Sequence, residues 1–297
     1  MNNPLVSIII SVFEQFAFTK RCLTEIEKSL DGQIDYEVLI VDDGSEGEIV
    51  KFLHSLDSPH QVFFNSVKKG FAKNNNFAAS KAKGEFLCLL NNDCFVGGDW
   101  LYPMIDVFNK KNNVGMVGNV QRLAGSKKYD HMGIIFDPFG IPRHYGQGFY
   151  HRPFKGQVRQ WSGITAACCL VKRTDFLDLE GFDEIFFNGC EDIDLCLRFN
   201  RKGYQHFVVH DIVVDHVRCA SEGRLDNNLQ NEALLHARWN CEIKEIYSKK
   251  DSRLFAKWYL IKSLLKLKIT SVKLFKDSIR ILFIDVFNYA CRKILPD

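Results

Sequence analysis

Apolar positions fall into two alternating rhythms over the first hundred residues. Residues 6–12 (VSIIISV) form a β-branched run with no polar face, the pattern of a strand buried on both sides of a parallel sheet. Residues 19–30 then place Cys22, Leu23, Ile26 and Leu30 at helical spacing. The same alternation recurs with strands predicted at 36–41, 61–64 and 85–90 and helices at 47–55 and 71–82. Strand and helix alternating in this way predict a doubly wound α/β sheet.

The stretch from about 115 to 160 is richer in Gly, Pro and aromatics and reads as short strands and loops. Residues 161–172 (WSGITAACCLVK) lead into another buried strand, 192–202 into a helix, and 207–215 (FVVHDIVVD) into a strand. No repeat or low-complexity linker interrupts the chain, so residues 1–235 read as one domain. Its two halves are 1–120 and 121–235. From Leu254 the rhythm changes: Trp258, Ile261, Leu265, Ile269, Val272, Phe275, Ile279, Leu282, Val286 and Tyr289 follow at steps of three and four. Residues 236–297 therefore read as an amphipathic helical extension.

The 46% apolar and 25% charged residues of this 297-residue chain suffice for a large core. Ten cysteines with no CxxC pair and no zinc spacing read as buried thiols of a reducing compartment. The start carries no basic region before its apolar run, and no run approaches the ~20 residues that span a bilayer. Both features predict a cytoplasmic protein, soluble or lying on the inner face of the membrane. Residues 251–297 hold ten Lys/Arg against four Asp/Glu, a net charge of +6, while the whole chain is at +3. The basic character thus belongs to the tail, which disfavours a nucleic-acid partner. A basic apolar-striped helix packs on its own domain, on a second copy in a homodimer, or on an anionic membrane surface.

Ligands of open α/β sheets bind at the carboxyl ends of the strands. Three predicted strand ends carry polar residues: Ser11, then Asp42 and Asp43, then Asn92 and Asp93. Neither G-x-G-x-x-G nor a P-loop occurs, which argues against a dehydrogenase or P-loop enzyme. A nucleotide would have to be held by side chains and a metal ion.

Six segments in this order resemble family 2 glycosyltransferases of the GT-A fold: VSIIISVFEQ, YEVLIVDDGS, KGFAKNNNFAASKAKGEFLCLLNNDC, SGITAACCLVKR, GFDEIFFNGCEDIDLCLRFNRKGY and VVDHVRCASEG. The resemblance covers residues 4 to about 225, and within the family it is nearest bacterial rhamnosyltransferase-like enzymes of cell-surface polysaccharide assembly. It implies an inverting enzyme with a UDP- or dTDP-sugar donor and a saccharide or lipid-linked acceptor. It implies that Ser11, Phe13, Glu14, Asp43, Lys73 and Asn92 meet the nucleotide. Asp93 and His216 would hold Mn²⁺ or Mg²⁺, Asp192 beside Glu191 would be the base, and Trp161, Ser162 and Gly163 would meet the acceptor.

Each residue also has a plainer reading. Asp42–Ser45 is a helix-entry loop, Glu191 and Asp192 complement a helix dipole, Trp161 is core, Lys73 is solvated, and His216 is a satisfied strand-end histidine. The family's metal motif often carries two carboxylates where Asn91-Asn92-Asp93 has one. Two rival functions follow: a non-catalytic module that binds nucleotide-sugar or membrane, and a nucleotidyltransferase. The latter lacks its basic glycine-rich loop after the first strand.

Overall fold

The computed structural model describes residues 4–30, 32–218, 227–265 and 270–294, without the side chains of 265 and 284–294. Ile269 of the apolar repeat and residues 219–223 of the last resembling segment lie outside the described residues.

Four strands, β1 (Val6–Val12), β2 (Tyr36–Asp42), β3 (His60–Phe64) and β4 (Phe86–Leu90), lie parallel in the order β3-β2-β1-β4. Helices α1 (Phe16–Leu30), α2 (Glu48–His54) and α3 (Phe71–Lys81) connect them. Side chains alternate across the pleat. Ile8, Ile10, Val38 and Ile40 enter one core with Cys22, Leu23 and Ile26 of α1, whereas Ile9, Leu39 and Val41 enter the other with Ala78 and Ala79 of α3. Both faces are covered, which is why these strands read as unbroken apolar runs.

The sheet then continues with mixed polarity. β5 (Cys94–Phe95) leads to α4 (Tyr102–Lys110) and the long β6 (Val114–Leu123), and β7 (Tyr129–His131) pairs with β6. A small hairpin, β8 (Ile134–Phe136) with β9 (Pro142–His144), stands apart. β10 (Val158–Trp161) forms the sheet edge, and β11 (Cys168–Lys172) sits antiparallel between β4 and β6. After α5 (Arg173–Asp178) and α6 (Glu191–Arg201), β12 (Gln205–His216) joins β6 in parallel and β5 in antiparallel pairing. The chain therefore has the GT-A arrangement, a mixed sheet with helices on both faces.

Three C-terminal helices follow: α7 (Asn228–Ile246), α8 (Ser252–Leu265) and α9 (Val272–Ile294). Leu235, Trp239 and Ile243 of α7 pack on Ile134, Phe136, Ile193 and Leu197. Phe255, Trp258 and Tyr259 of α8 join the second face of the main core. The extension is thus fastened to its own domain through α7 and α8. The outer side of α9 leaves Val272 64%, Ile279 42% and Phe283 71% exposed. No described helix is long and apolar enough to cross a membrane. Six described cysteines are buried free thiols, and Cys241 is exposed.

One buried carboxylate ties the extension to the body. Asp251, 2% exposed, ends a single π-helical turn (Tyr247–Asp251) between α7 and α8. It accepts the Phe136 N–H at 2.8 Å and the Ser162 hydroxyl at 2.7 Å. Burial outweighs these bonds and pushes its pKa up to about 6. A raised pKa means the fold holds the proton more tightly than the unfolded chain. That stabilisation is full below the unfolded value of about 4 and is lost as pH rises towards about 6. Between those limits the protein should lose about 2–3 kcal/mol relative to Asp251→Asn, which has no such proton to release. Urea midpoints of both proteins across the window check this; parallel pH profiles would contradict it.

Candidate active site

The carboxyl ends of β1, β2 and β4 open into a cavity of about 330 Å³, at the lower end of the range for small-ligand sites. Ser11, Phe13, Asp43, Asn92 and Asp93 line one side, and Glu191, Asp192 and His216 also face it. Eight of the thirteen residues singled out in the sequence are therefore brought together. A shallower depression of about 500 Å³ at the β10 edge, lined by Lys111, Arg159 and Phe207 among others, offers no carboxylate, thiol or imidazole.

The short β5 determines the metal-type geometry. It pairs antiparallel with the end of β12, Cys94 opposite His216, and so brings Asp93 against that histidine. Asp93 Oδ1 lies 3.3 Å from His216 Nε2, and Nδ1 contacts Gln121 Oε1 at 3.0 Å. With an acceptor at Gln121, Nδ1 carries a proton, and Nε2 is the ring nitrogen that faces Asp93. A 5%-exposed carboxylate facing an imidazole nitrogen is a fitting place for a divalent cation. The Cys94 thiol lies close enough to complete the cluster. Burial in the core raises its pKa well above the ordinary thiol value, which disfavours the thiolate in the metal-free protein. Asn92 turns its amide to the Thr19 hydroxyl at 3.0 Å and anchors the triplet to α1.

At the end of β2 Asp43 is 3% exposed. Its Oδ1 accepts the Lys69 N–H at 2.7 Å and its Oδ2 the Gly70 N–H at 3.0 Å. Asp43 therefore fixes the loop before α3. That loop carries Lys68, whose Nζ sits 3.9 Å from the centroid of the Phe13 ring. Lys68 lines the cavity, whereas Lys73 is exposed on α3 and does not. Glu14 also stays outside the lining. Its N–H donates to Ser45 Oγ at 2.7 Å and its carboxylate accepts the Glu46 N–H at 2.9 Å, clasping the loops after β1 and β2. Ser11 Oγ accepts from Asn74 at 3.0 Å.

The base candidates stand on the first turn of α6, after a tight turn with Asn188 at φ 54° and Cys190 at φ 68°. Glu191 is 5% exposed and accepts the Gly189 N–H, which holds this turn. Asp192 is half-buried, with Oδ1 on the Ile193 N–H at 2.8 Å and Oδ2 on the Ala166 N–H at 3.2 Å. These backbone donors hold the carboxylate in place at the N-terminus of α6. Asn188 also accepts the Phe71 N–H at 3.0 Å, and a Cβ on Gly70 (φ +89°) would lie 2.7 Å from the Phe187 ring. This turn and the loop before α3 are thus locked together. Two residues on, Asp194 is fully buried and takes Arg198, Arg238 and the Trp239 indole, each at 2.8 Å. It fastens α7 to α6.

Trp161, Ser162 and Gly163 do not line the cavity. Trp161 is 3% exposed in the core, with its indole N–H on His210 at 3.2 Å. The Ser162 hydroxyl serves Asp251, and Gly163 pairs its backbone with Ile134. Thr165, Ala166 and Ala167 take the lining place instead. Five further polar residues there received no role from the sequence: Asp130, His144, Arg218, Asn228 and Glu232. Only the Arg218–Asp130 ion pair, at 2.7 Å, joins two of them. Those five come from β7, β9, the end of β12 and α7, elements far apart in the chain, and no local pattern marks them.

Comparison with known proteins agrees with this architecture. An uncharacterized protein, y4gI, of Sinorhizobium fredii is 27% identical over 236 residues, 75% of this chain and 25% of its own length. The O-antigen biosynthesis protein RfbC of Myxococcus xanthus is 34% identical over 136 residues, 43% of this chain and 10% of its own. The matched stretch thus spans a quarter or less of either relative. The crystal structure of GalNAc-T7 with UDP, GalNAc and Mn²⁺ shares the fold, with a TM-score of 0.64 at 15% identity over 88% of this chain and 58% of that chain. Residues 7–179, more than half of the chain, match the model of glycosyl transferase family 2, and the chain belongs to that family.

Proposed function

We propose that this protein is an inverting glycosyltransferase that moves a sugar from a UDP- or dTDP-linked donor to a hydroxyl of a saccharide or lipid-linked acceptor. The observation that carries the reading is the shared cavity: the Asp93–His216 pair and the accessible carboxylate of Asp192 both line it. In this reading Phe13, Asp43 and Lys68 receive the base and ribose. Asp93 and His216 hold Mn²⁺ or Mg²⁺, which stabilises the negative charge of the departing diphosphate. Asp192 takes the proton of the attacking hydroxyl, and attack opposite the leaving group inverts the anomeric carbon. Glu191 keeps the turn that aims Asp192.

Similarity to RfbC supports a role in cell-surface polysaccharide assembly, and the rhamnosyltransferase-like kind is our reading of the sequence motifs. RfbC, a relative, is an O-antigen biosynthesis protein. We take residues 1–235 as the catalytic domain, with 1–120 on the donor side and 121–235 on the acceptor side, and 236–297 as its helical extension. The exposed Val272, Ile279 and Phe283 beside Lys273, Lys276 and Arg280 suit contact with anionic lipid on the cytoplasmic face of a membrane, or with a second copy in a homodimer.

Thermal unfolding with nucleoside diphosphates tests the donor site. UDP or dTDP should raise the melting temperature only when Mn²⁺ or Mg²⁺ is present, by the equivalent of about 2.7 kcal/mol at a hundredfold excess over Kd. No shift with any nucleotide would overturn the reading in favour of a non-catalytic module.

A further inference from the structure

We infer that the acceptor subsite lies between the β8–β9 hairpin and the first turn of α7, and that it takes a neutral saccharide residue through His144, Asn228 and Glu232. This rests on the donor reading above, and it places the acceptor away from Trp161–Gly163.

Three features of the cavity carry the inference. First, this end has unsatisfied hydrogen-bonding capacity. His144 Nδ1 is buried without a partner, and among the described residues the side chains of Asn228 and Glu232 make no hydrogen bond or ion pair. A buried polar atom such as His144 Nδ1 costs free energy unless a ligand or water satisfies it, and the half-buried Asn228 and Glu232 keep their side-chain groups available to the same ligand. Second, Ile134 of β8 and Pro142 of β9 line the same cavity. An apolar patch beside convergent donors and acceptors matches the two surfaces of a sugar ring, its C–H face and its hydroxyl rim. Third, the charge is one-sided. Burial lowers the His144 pKa and keeps the ring neutral, and Arg218 is occupied by Asp130. Glu232 and Asp192 then leave this end negative, so a uronic acid or phosphate is repelled while hydroxyl groups donate to the carboxylates. α7 is anchored through Asp194, Trp239 and Leu235, so its first turn is held by the catalytic domain.

Saturation-transfer NMR on the full chain, with and without UDP and Mn²⁺, tests this. The probes are p-nitrophenyl β-glucoside, β-galactoside and β-glucuronide. The neutral glycosides should bind and the glucuronide should not. Glu232→Gln and Asn228→Ala should each weaken neutral binding about tenfold without moving the affinity for UDP. Glu232→Lys should admit the glucuronide. Failure of the neutral probes to bind, glucuronide binding equal to theirs, or an equal loss of UDP affinity in the variants would overturn the subsite. Absence of UDP binding with intact glycoside binding would instead overturn the donor reading alone. Melting temperatures of the variants near that of the parent protein exclude misfolding as the cause.

Discussion

Asp192→Asn should lower the rate of sugar transfer by about 10²–10⁴-fold while leaving nucleoside diphosphate affinity near its original value. The substitution keeps one side-chain oxygen for the shorter bond, from the Ile193 N–H at 2.8 Å, and gives up only the longer one from the Ala166 N–H at 3.2 Å, so a melting temperature near that of the parent protein is the control for the α6 turn. The capacity to take a proton is removed. The split between kcat and diphosphate Kd is the readout, because a merely structural role would shift both. Glu191→Gln makes the contrast. Its carboxylate is bound to the Gly189 N–H inside the turn, so its loss should appear mainly as a lower melting temperature. A variant with transfer retained and donor binding lost would reverse the assignment.

The second large effect is expected at Asp93. Asp93→Ala leaves His216 as the one remaining member of the pair. The Kd of UDP measured with Mn²⁺ should then rise by more than the roughly 10–100-fold typical when an outer partner of a metal ligand is removed. Stability without metal should move the other way or not at all. Asp93 is 5% exposed, so burying its side chain carries a desolvation cost that the alanine variant is spared. Calorimetry of nucleotide binding and a melting curve in chelator give the two halves of this prediction. A destabilised metal-free variant with unchanged UDP affinity would make Asp93 a structural carboxylate.

The donor side was legible in the sequence for a definite reason. β1, β2 and β4 are parallel and buried on both faces, so their apolar runs end at one edge and the next polar residues, Ser11, Asp43 and Asp93, meet there. Cys22, Leu23 and Ile26 likewise announced the buried face of α1. Legibility failed where the chain turns inside a loop. Lys68 and Lys73 are five residues apart, and only the Asp43 bonds to Lys69 and Gly70 decide which of them reaches the cavity. It failed again at β6, where Gly115, Gly118 and the buried Asn119 and Gln121 break the apolar run. Asn119 is tolerated there because it donates to the Cys168 carbonyl at 3.1 Å from the neighbouring strand. Trp161 invited an acceptor role, but Tyr145, Phe154 and His210 surround its ring. The lining residues of α7 were invisible because a polar residue facing a cavity looks, in sequence, like one facing solvent.

The most direct test of the account is to measure what is released from nucleotide-sugars by the wild-type chain, with Mn²⁺ and with a chelator. The account predicts metal-dependent release of a nucleoside diphosphate that Asp192→Asn abolishes. Release of pyrophosphate, or nucleoside diphosphate release that persists in chelator or in the Asp192→Asn protein, would contradict it.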